Sequence, residues 1–475
     1  MSGLCVHPFV MAARFSGLRS LFRETPGLVR LSVPIIAGLA ASVLISAIDA
    51  VFLAPLGRVP LAAVALTGSV LIVLYAAIYG AISMLGVRIA NAHGARAGRQ
   101  VTGELRNGLL LGLLCGVAAA ALMGAVWFFL PLLDQPGEVL EALPPYWASM
   151  SAFLVPFAVL SVFKATLEAL EALGRAWFAA TFAFLGVGLN LPLNDVLIYG
   201  KAGFPAMGLA GAGLASLLAE SLALVAVLLW WRLSHRARRL RVRQPLRLAT
   251  VAAQVRSGAP MAGLYALETL SGTVAVMMIG WFGTLALASY QVAEVVAGAV
   301  YMVPLGMAGA VALTVARARG AGEGERIRPI VFAGLTVVSA WMLSAALCFV
   351  LGGGTIAGWI VDDEETIRLA AAFLVVFAVF QLMDGAQSTM LGALRGFEDV
   401  IWPGAVSFIS YWVISLPLGY GLAHSLGFGP VAVWAVFVVG LSIAAVALTM
   451  RFLWRTGRPQ GTVSLLEEKG TGERN

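Results

Sequence analysis

Eight ionisable side chains interrupt otherwise apolar stretches of the sequence, and they are the residues best placed to do chemistry. In hydrocarbon each costs several kcal/mol unless it is paired or neutralised. Two carboxylates in a low-dielectric medium repel, so either one holds a proton or a cation lies between them. Such groups link the binding of a small cation to the local charge, which is the basis of ion coupling. They are Asp49, Lys164, Glu168, Asp195, Glu220, Glu268, Glu294 and Asp384.

The composition predicts that a membrane surrounds these residues. Of the 475 residues, 60% are hydrophobic and 12% are charged, and the mean hydropathy is +0.92. A soluble domain carries about 25% charged residues, and a disordered chain is poor in apolar ones, so both classes are excluded. A spanning helix needs about 20 apolar residues. The apolar stretches predict twelve spans, at 31–54, 61–87, 107–133, 145–170, 176–199, 207–231, 258–282, 286–315, 330–352, 367–393, 402–424 and 430–453.

The basic residues predict the orientation of these spans. The chain has 31 Lys and Arg residues, and most of them fall on one side of the predicted topology. Basic loops are typically cytoplasmic, so we expect both termini in the cytoplasm. Residues 1–25 are then a cytoplasmic leader without a signal peptide, 232–257 a basic cytoplasmic linker and 456–475 a tail. The exceptions are Arg58, Lys201 and Arg368 on the outer side and Lys164 inside a span.

The two halves of the chain repeat each other at a shift of 226 residues. Pro34 falls on Pro260, Gly57 on Gly283, Gly80 on Gly306 and Gly94 on Gly320. Each half has six spans, so the halves enter the membrane in the same orientation. We therefore expect an all-α membrane protein with twelve transmembrane helices. These form an N-lobe (26–231) and a C-lobe (258–455), related by a pseudo-two-fold axis along the membrane normal, with a site between them.

Helical geometry predicts which polar residues meet. At about 1.5 Å per residue, Asp49 and Asn194 lie about 27 Å from the inner ends of their spans, with Asn190 one turn below Asn194. Glu268 and Asp384 lie about 15 Å and about 14 Å from the inner ends of theirs. We expect one polar group around Asp49 in the N-lobe and a second, of the two acids, in the C-lobe. Both are candidate cation-binding sites.

The remaining charged residues leave alternatives open. Lys164 and Glu168 are spaced i,i+4 and favour an intrahelical ion pair. Asp195 either joins the Asn194 face or snorkels to the outer surface. Glu220 and Glu294 lie deep in their spans without an obvious partner, and either a functional or a structural role fits them.

Four prolines and the scarce Cys and His residues complete the chemical inventory. The prolines predict bends that are shared between the halves, either fixed kinks or moving hinges. Three Cys and four scattered His predict no disulfide framework and no metal site. No phosphate-binding loop precedes a lysine, so the chain is not an ATPase, and we expect no cofactor beyond a coupling ion, Na⁺ or H⁺. The hinge candidates are Pro34, Pro192, Pro260 and Pro417.

Five stretches, in this order on a repeat of six plus six spans, resemble the multidrug and toxic compound extrusion (MATE) transporters, particularly the NorM-like branch. The similarity covers about residues 26–455. The stretches are AIDAVFLAPLG with LAAVAL shortly after it (47–66), LNLPLNDVLIYGKAG (189–203), ASYQVA (288–293), QLMDGAQSTMLGALRGFED (381–399) and FISYWVISLPLGY (408–420).

The resemblance implies two lobes around a central cavity, and export of organic cations in exchange for Na⁺ or H⁺. It implies that Asp49 is the N-lobe coupling and drug-binding acid, with Asn190 and Asn194 as its polar neighbours. Glu268 and Asp384 resemble the C-lobe carboxylates associated with cation binding.

Other residues complete or depart from the family pattern. Tyr290 stands where relatives often have His, and we place it in the predicted cavity with Asp195, Glu220 and Glu294. The last two are acids that the family does not lead us to expect, and they leave the coupling ion and its number per cycle open.

Two other functions compete with the exporter. A lipid-linked precursor flippase or metabolite exporter would need Arg in its cavity to bind pyrophosphate, whereas the charges at cavity depth are nearly all acidic. A membrane-embedded lipid enzyme would need clustered catalytic residues at one interface, which the sequence lacks. We expect small organic cations and the lipid bilayer as partners, no nucleic acid, a monomer, and a multi-pass protein of the bacterial inner membrane.

Overall fold

The computed structural model describes residues 7–130, 137–170, 176–242 and 244–457. These residues form helices and loops, and twelve of the helices are long and apolar enough to cross a membrane. A six-residue helix, Gly137–Ala142, precedes the fourth of them. The twelve are α1 (His7–Leu53), α2 (Arg58–Gly94), α3 (Gly98–Trp127), α4 (Pro144–Ala169), α5 (Ala176–Tyr199), α6 (Gly208–Leu233), α7 (Leu248–Gly280), α8 (Thr284–Gly320), α9 (Gly324–Gly358), α10 (Glu364–Gly396), α11 (Ile401–Ser425) and α12 (Val431–Gly457).

The number and order of the predicted spans are confirmed, but several helices run past the predicted ends. Helix α1 begins at His7, so the described part of the predicted leader is helical and continuous with the first span. The basic linker is shorter than expected, because α7 already begins at Leu248. Helix α10 continues to Gly396 and includes Arg395, which lies beyond the predicted span 367–393.

The repeat is visible in the backbone of the turns that precede α2 and α8. Gly57 has φ 105° and ψ −168°, and Gly283 has φ 98° and ψ 179°. This region of backbone space is essentially restricted to glycine. The paired glycines therefore start equivalent helices of the two lobes with the same turn.

The predicted bends differ between the halves. Pro34, Pro192 and Pro260 lie inside continuous α-helices. Pro417, in contrast, is the second residue of a short α-helical segment, Leu416–Tyr420, between two π-helical segments of α11, Ile409–Ser415 and Gly421–Ser425. Pro34 and Pro260 therefore share their local geometry, whereas Pro192 and Pro417 do not. Segments of π-helix are frequent at functional sites.

We call helices α1–α6 the N-lobe and helices α7–α12 the C-lobe, and the two sets contact each other mainly through α1 and α2 on one side and α7, α8 and α9 on the other. We define the basic end of the bundle as the end that carries Gly94, Gly320 and residues 234–242 and 244–247. There the glycines cross the opposite lobe so closely that a Cβ on Gly94 would overlap with the carbonyl of Arg317, and one on Gly320 with that of Asn91. The lobes are in direct backbone contact at this end.

Polar contacts also join the lobes at the basic end. Glu104 of α3 pairs with Arg88 of α2 at 2.8 Å and accepts a hydrogen bond from Gln254 of α7 at 2.7 Å. Glu24 of α1 forms two 2.9 Å hydrogen bonds with Arg326 of α9. The hydrogen bond from Gln254 to Glu104 and the ion pair between Arg326 and Glu24 therefore cross between the lobes at this end.

Candidate functional site

A cavity of about 670 Å³ lies between the lobes. Its walls are mainly apolar and aromatic, and Tyr79 of the N-lobe meets Tyr265 of the C-lobe edge-to-face, with ring centroids 5.4 Å apart. Electron-rich aromatic faces attract organic cations. The charged side chains on the walls are Lys164, Glu168 and Glu220 of the N-lobe and Glu268 and Arg395 of the C-lobe.

Asp49 forms a closed polar cluster in the N-lobe. It accepts hydrogen bonds from Asn194 at 2.7 Å, from Ser216 at 2.8 Å and from Asn190 at 3.3 Å, and its exposed fraction is 3%. The structure therefore brings together the three residues that helical depth had grouped. Ser216, one turn before Glu220 on α6, is an additional member, and its position on an apolar helix was a signal that the sequence analysis did not use. The cluster lies behind the cavity wall and does not line it.

The C-lobe cluster contains two carboxylates. Glu268 lines the cavity, and its Oε1 accepts a 3.3 Å hydrogen bond from Tyr411, whereas its Oε2 is buried with no partner among the described residues. Asp384 is buried behind the wall, interacts electrostatically with Glu268, and lies 3.5 Å from the hydroxyl of Ser388. Tyr301 is 3.4 Å from the same hydroxyl. Oxygen ligands of this kind suit a small hard cation or a proton.

Glu220 lies on the N-lobe wall of the cavity, as predicted, together with Lys164 and Glu168. The expected ion pair between Lys164 and Glu168 is not formed within the described chain. Instead, Oε1 of Glu168 is buried without a hydrogen-bond partner. Lys164 interacts electrostatically with both acids.

Arg395 is the cavity residue that the sequence analysis missed. Its exposed fraction is 2%, and its guanidinium donates to the hydroxyl of Tyr265 at 3.1 Å and to the carbonyl of Ala308 at 3.3 Å. Its Nε has no partner among the described residues. Two cationic side chains, Arg395 and Lys164, therefore accompany the three cavity acids, so the cavity is less uniformly acidic than expected.

Three predicted cavity residues lie elsewhere. Asp195 forms a 2.7 Å ion pair with Lys201 at the surface, with exposed fractions of 40% and 59%. Its outward direction follows from the helical turn, because Asn194 already occupies the inner face. Tyr290 packs in an aromatic core, stacked on Trp434 with ring centroids 5.8 Å apart. Glu294 lies beside Tyr290 and off the cavity wall.

The described ranges contain no group of three or more His, Cys, Asp or Glu side chains that could hold a metal ion. Cys115 and Cys348 are free thiols, and Cys5 lies outside the described residues. What the site can do chemically is bind cations: an apolar, aromatic cavity offers carboxylates to an organic cation, and buried carboxylates next to it offer oxygens to an inorganic one.

Comparison with known proteins places this geometry among transporters. The family model MatE matches twice, at residues 34–196 and 260–421, in agreement with the internal repeat. A "Probable multidrug resistance protein NorM" of Deinococcus radiodurans is 32% identical over 91% of this chain and 96% of its own length. The "Multidrug resistance protein NorM" of Burkholderia vietnamiensis is 30% identical over 92% and 95%. A solved structure, "Crystal structure of MATE in the bent conformation", superposes with a TM-score of 0.82 at 21% identity, covering 93% of this chain and 97% of that one.

Proposed function

The chain belongs to the MatE family, the MATE transporters, and from that premise we propose that it is a cation-coupled antiporter that exports organic cations by alternating access. It is a membrane transporter and not an enzyme. The observation that carries the proposal is Glu268, a carboxylate on the cavity wall whose Oε2 has no partner among the described residues and which lies near buried Asp384.

The C-lobe pair provides the coupling. When Na⁺ or H⁺ enters between Glu268 and Asp384, it neutralises charge that would otherwise attract a cationic drug. Drug affinity then falls, and by linkage drug binding lowers affinity for the ion to the same degree. Exchange follows if each reorientation of the carrier transports either the ion or the drug, the ion inward and the drug outward. Asp49 provides a second coupling position in the N-lobe, where Asn190 and Asn194 hold its carboxylate.

The cavity walls provide the drug site. Glu220 and Glu268 face the cavity from opposite lobes, and tyrosine and phenylalanine rings line the space between. A volume of about 670 Å³ lies within the range of about 300–1,000 Å³ that is common for drug-sized ligands. Lipophilic cations satisfy both the apolar walls and the carboxylates.

The direction of transport follows from the topology. We assign the basic end to the cytoplasm, with both termini on that side, in the inner membrane of a bacterium. The described conformation is then closed toward the cytoplasm, and the opposite end releases drug. We assign a monomer as the functional unit, because one chain supplies both lobes and the whole cavity. No cofactor other than the coupling ion is needed.

Counterflow in proteoliposomes tests this proposal. The purified chain is reconstituted, and efflux of a fluorescent organic cation is followed under an inward Na⁺ gradient alone and then under a pH gradient alone. We expect one gradient to drive efflux and the corresponding ionophore to abolish it. Efflux that neither gradient accelerates contradicts coupled antiport.

Arg395 favours a second candidate, the export or flipping of an amphiphile with an anionic group. Its buried guanidinium, whose Nε has no partner within the described part of the chain, fits a carboxylate or phosphate. Transport of an anionic lipid analogue that is lost in Arg395→Gln, without transport of any organic cation, would favour this candidate over the exporter.

A further inference from the structure

The ammonium group of Lys164 has no task in the proposed cycle. Its side chain leaves α4, crosses the cavity wall and lies on the backbone of Gly38 in α1. A Cβ added at Gly38 would be 2.8 Å from Cε and 2.9 Å from Nζ of this lysine. The absent side chain of Gly38 therefore leaves the space in which the ammonium lies.

The ammonium is held near two carboxylates without being bonded to either. Lys164 interacts electrostatically with Glu168 and Glu220. In the described part of the chain, neither acid forms an ion pair with it, and Oε1 of Glu168 lacks a hydrogen-bond partner. A Cβ on Gly186 would lie 3.2 Å from Oε2 of Glu220, so this acid too rests against a bare backbone.

The charges of Lys164, Glu168 and Glu220 on the N-lobe wall sum to minus one when all three groups are ionised. We propose that Lys164 is a tethered cation that compensates one of the two carboxylates, so that the cavity selects organic cations carrying a single positive charge. This inference rests on the proposed function and names its substrate class. A monocation makes the wall neutral. A dication leaves an excess positive charge beside Lys164, and this is unfavourable because the apolar walls screen charges poorly.

The test compares two probes that differ by one charge and share a six-carbon chain, hexyltrimethylammonium and hexamethonium. Their affinities are measured by competition with a bound fluorescent cation, in wild type and in Lys164→Met. We expect wild type to prefer the monocation, and Lys164→Met to change the affinity ratio in favour of the dication by at least about tenfold. The matched control is Lys201→Met, which removes a lysine that is paired at the surface, and it should leave the ratio unchanged.

A second variant keeps the positive charge of Lys164 but changes its position. Gly38→Ala places a methyl group 2.8 Å from Cε and 2.9 Å from Nζ of Lys164, so the flexible lysine must shift. We expect it to move toward Glu168 and Glu220, because their charges attract the ammonium. We expect weaker binding of hexyltrimethylammonium, since the displaced ammonium then competes for the carboxylates. This variant also serves if Lys164→Met fails to fold.

The outcomes separate the two proposals. If wild type binds the monocation and Lys164→Met leaves the ratio unchanged, the role of Lys164 is wrong and the exporter stands. Unchanged monocation affinity in Gly38→Ala likewise contradicts the inferred competition. If wild type binds neither probe nor the fluorescent cation, the proposed function itself is wrong.

Discussion

Tyr75 and Tyr301 occupy equivalent positions of the two lobes, 226 residues apart, and both line the central cavity. Each interacts electrostatically with one carboxylate on the cavity wall and with one behind it. For Tyr75 these are Glu220 and Asp49. For Tyr301 they are Glu268 and Asp384. The lobes thus share an arrangement in which a cavity tyrosine lies near one acid on the cavity wall and one acid behind it, although the acids themselves do not occupy repeated positions.

Replacing one of these hydroxyls should weaken the coupling of its own lobe. Tyr301→Phe removes the hydroxyl that lies 3.4 Å from Ser388, beside Asp384. A neutral hydrogen bond contributes about 0.5–1.5 kcal/mol, so we expect a change of about two- to tenfold in the ion concentration that gives half-maximal exchange. Affinity for the organic cation in the absence of the ion should change less. Equal effects on both would show that Tyr301 only shapes the cavity.

Closure at the basic end depends on Gly94 and Gly320. Gly94→Ala forces a methyl group into the carbonyl of Arg317, and overpacking of this kind costs about 1–3 kcal/mol. We expect the closed conformation to lose at least about fivefold in population. Distances between spin labels placed on α2 and α8 at this end measure the change. Gly98→Ala is the control, because among the described residues no atom outside its own stretch of helix lies within 4 Å of the added Cβ. Identical distance distributions in the two variants would contradict the prediction.

Asp49→Asn should remove the charge of the N-lobe cluster while keeping its hydrogen bonds. The amides of Asn190 and Asn194 both donate to Oδ1 of Asp49, so the oxygen of the new asparagine can accept both bonds. Its amide can donate to the hydroxyl of Ser216, which now donates to Oδ2. We expect loss of drug resistance in cells at unchanged membrane expression. Asp195→Asn alters an acid that is paired at the surface and should retain resistance. Full resistance in Asp49→Asn would exclude this carboxylate from the transport cycle.

The sequence predicts how deep a side chain lies along its helix, but it does not predict the direction in which that side chain points around the helix axis. Distances along the helix axes placed Asn190 and Asn194 with Asp49 because the rise per residue is constant. The direction of a side chain depends on how its helix packs, and Asp195 and Tyr290 therefore point away from the cavity that was predicted for them. The paired turn glycines were recognisable because their backbone conformation admits few other residues.

Arg395 was missed for a different reason. Spans were ended at charged residues, and this rule excludes a buried arginine near a helix end. Its charge is compensated by hydroxyl and carbonyl oxygens of other helices, which are contacts between residues distant in the chain. Only the folded structure brings these oxygens together.

The start of α10 should show a measurable pH dependence. Thr366 donates to Oδ2 of Asp363 from its hydroxyl at 2.6 Å and from its backbone N–H at 2.9 Å, and these bonds lower the pKa of this exposed carboxyl. A lowered pKa means that the cap stabilises the fold above the pKa of the unfolded chain and is lost as the pH falls through the folded value. We expect Asp363→Ala to lower the melting temperature at neutral pH and to differ less from wild type in acid.

Asn is an equally good helix cap, so Asp363→Asn should keep the melting temperature of wild type near neutral pH while losing the acid-dependent part. If the melting temperatures of all three proteins are the same at every pH across the acid range, this cap does not contribute to stability.

Variants of Asp384 and Glu268, the C-lobe pair, should separate ion coupling from drug binding most clearly. Asp384 lies behind the wall and Glu268 lies on it, so Asp384→Asn removes a charge from the ion site while leaving the carboxylate that faces the drug. We expect ion-driven efflux in vesicles to be abolished, with organic cation affinity within about threefold of wild type, because the lost charge acts only at a distance on the drug. Glu268→Gln should reduce both ion-driven efflux and the affinity for the organic cation. Glu294 is an acid beside Tyr290 and off the cavity wall. The variant Glu294→Gln therefore tests whether removing any buried charge from this lobe has the same effect. If Asp384→Asn still exchanges drug for ion at the rate of wild type, the coupling ion binds elsewhere.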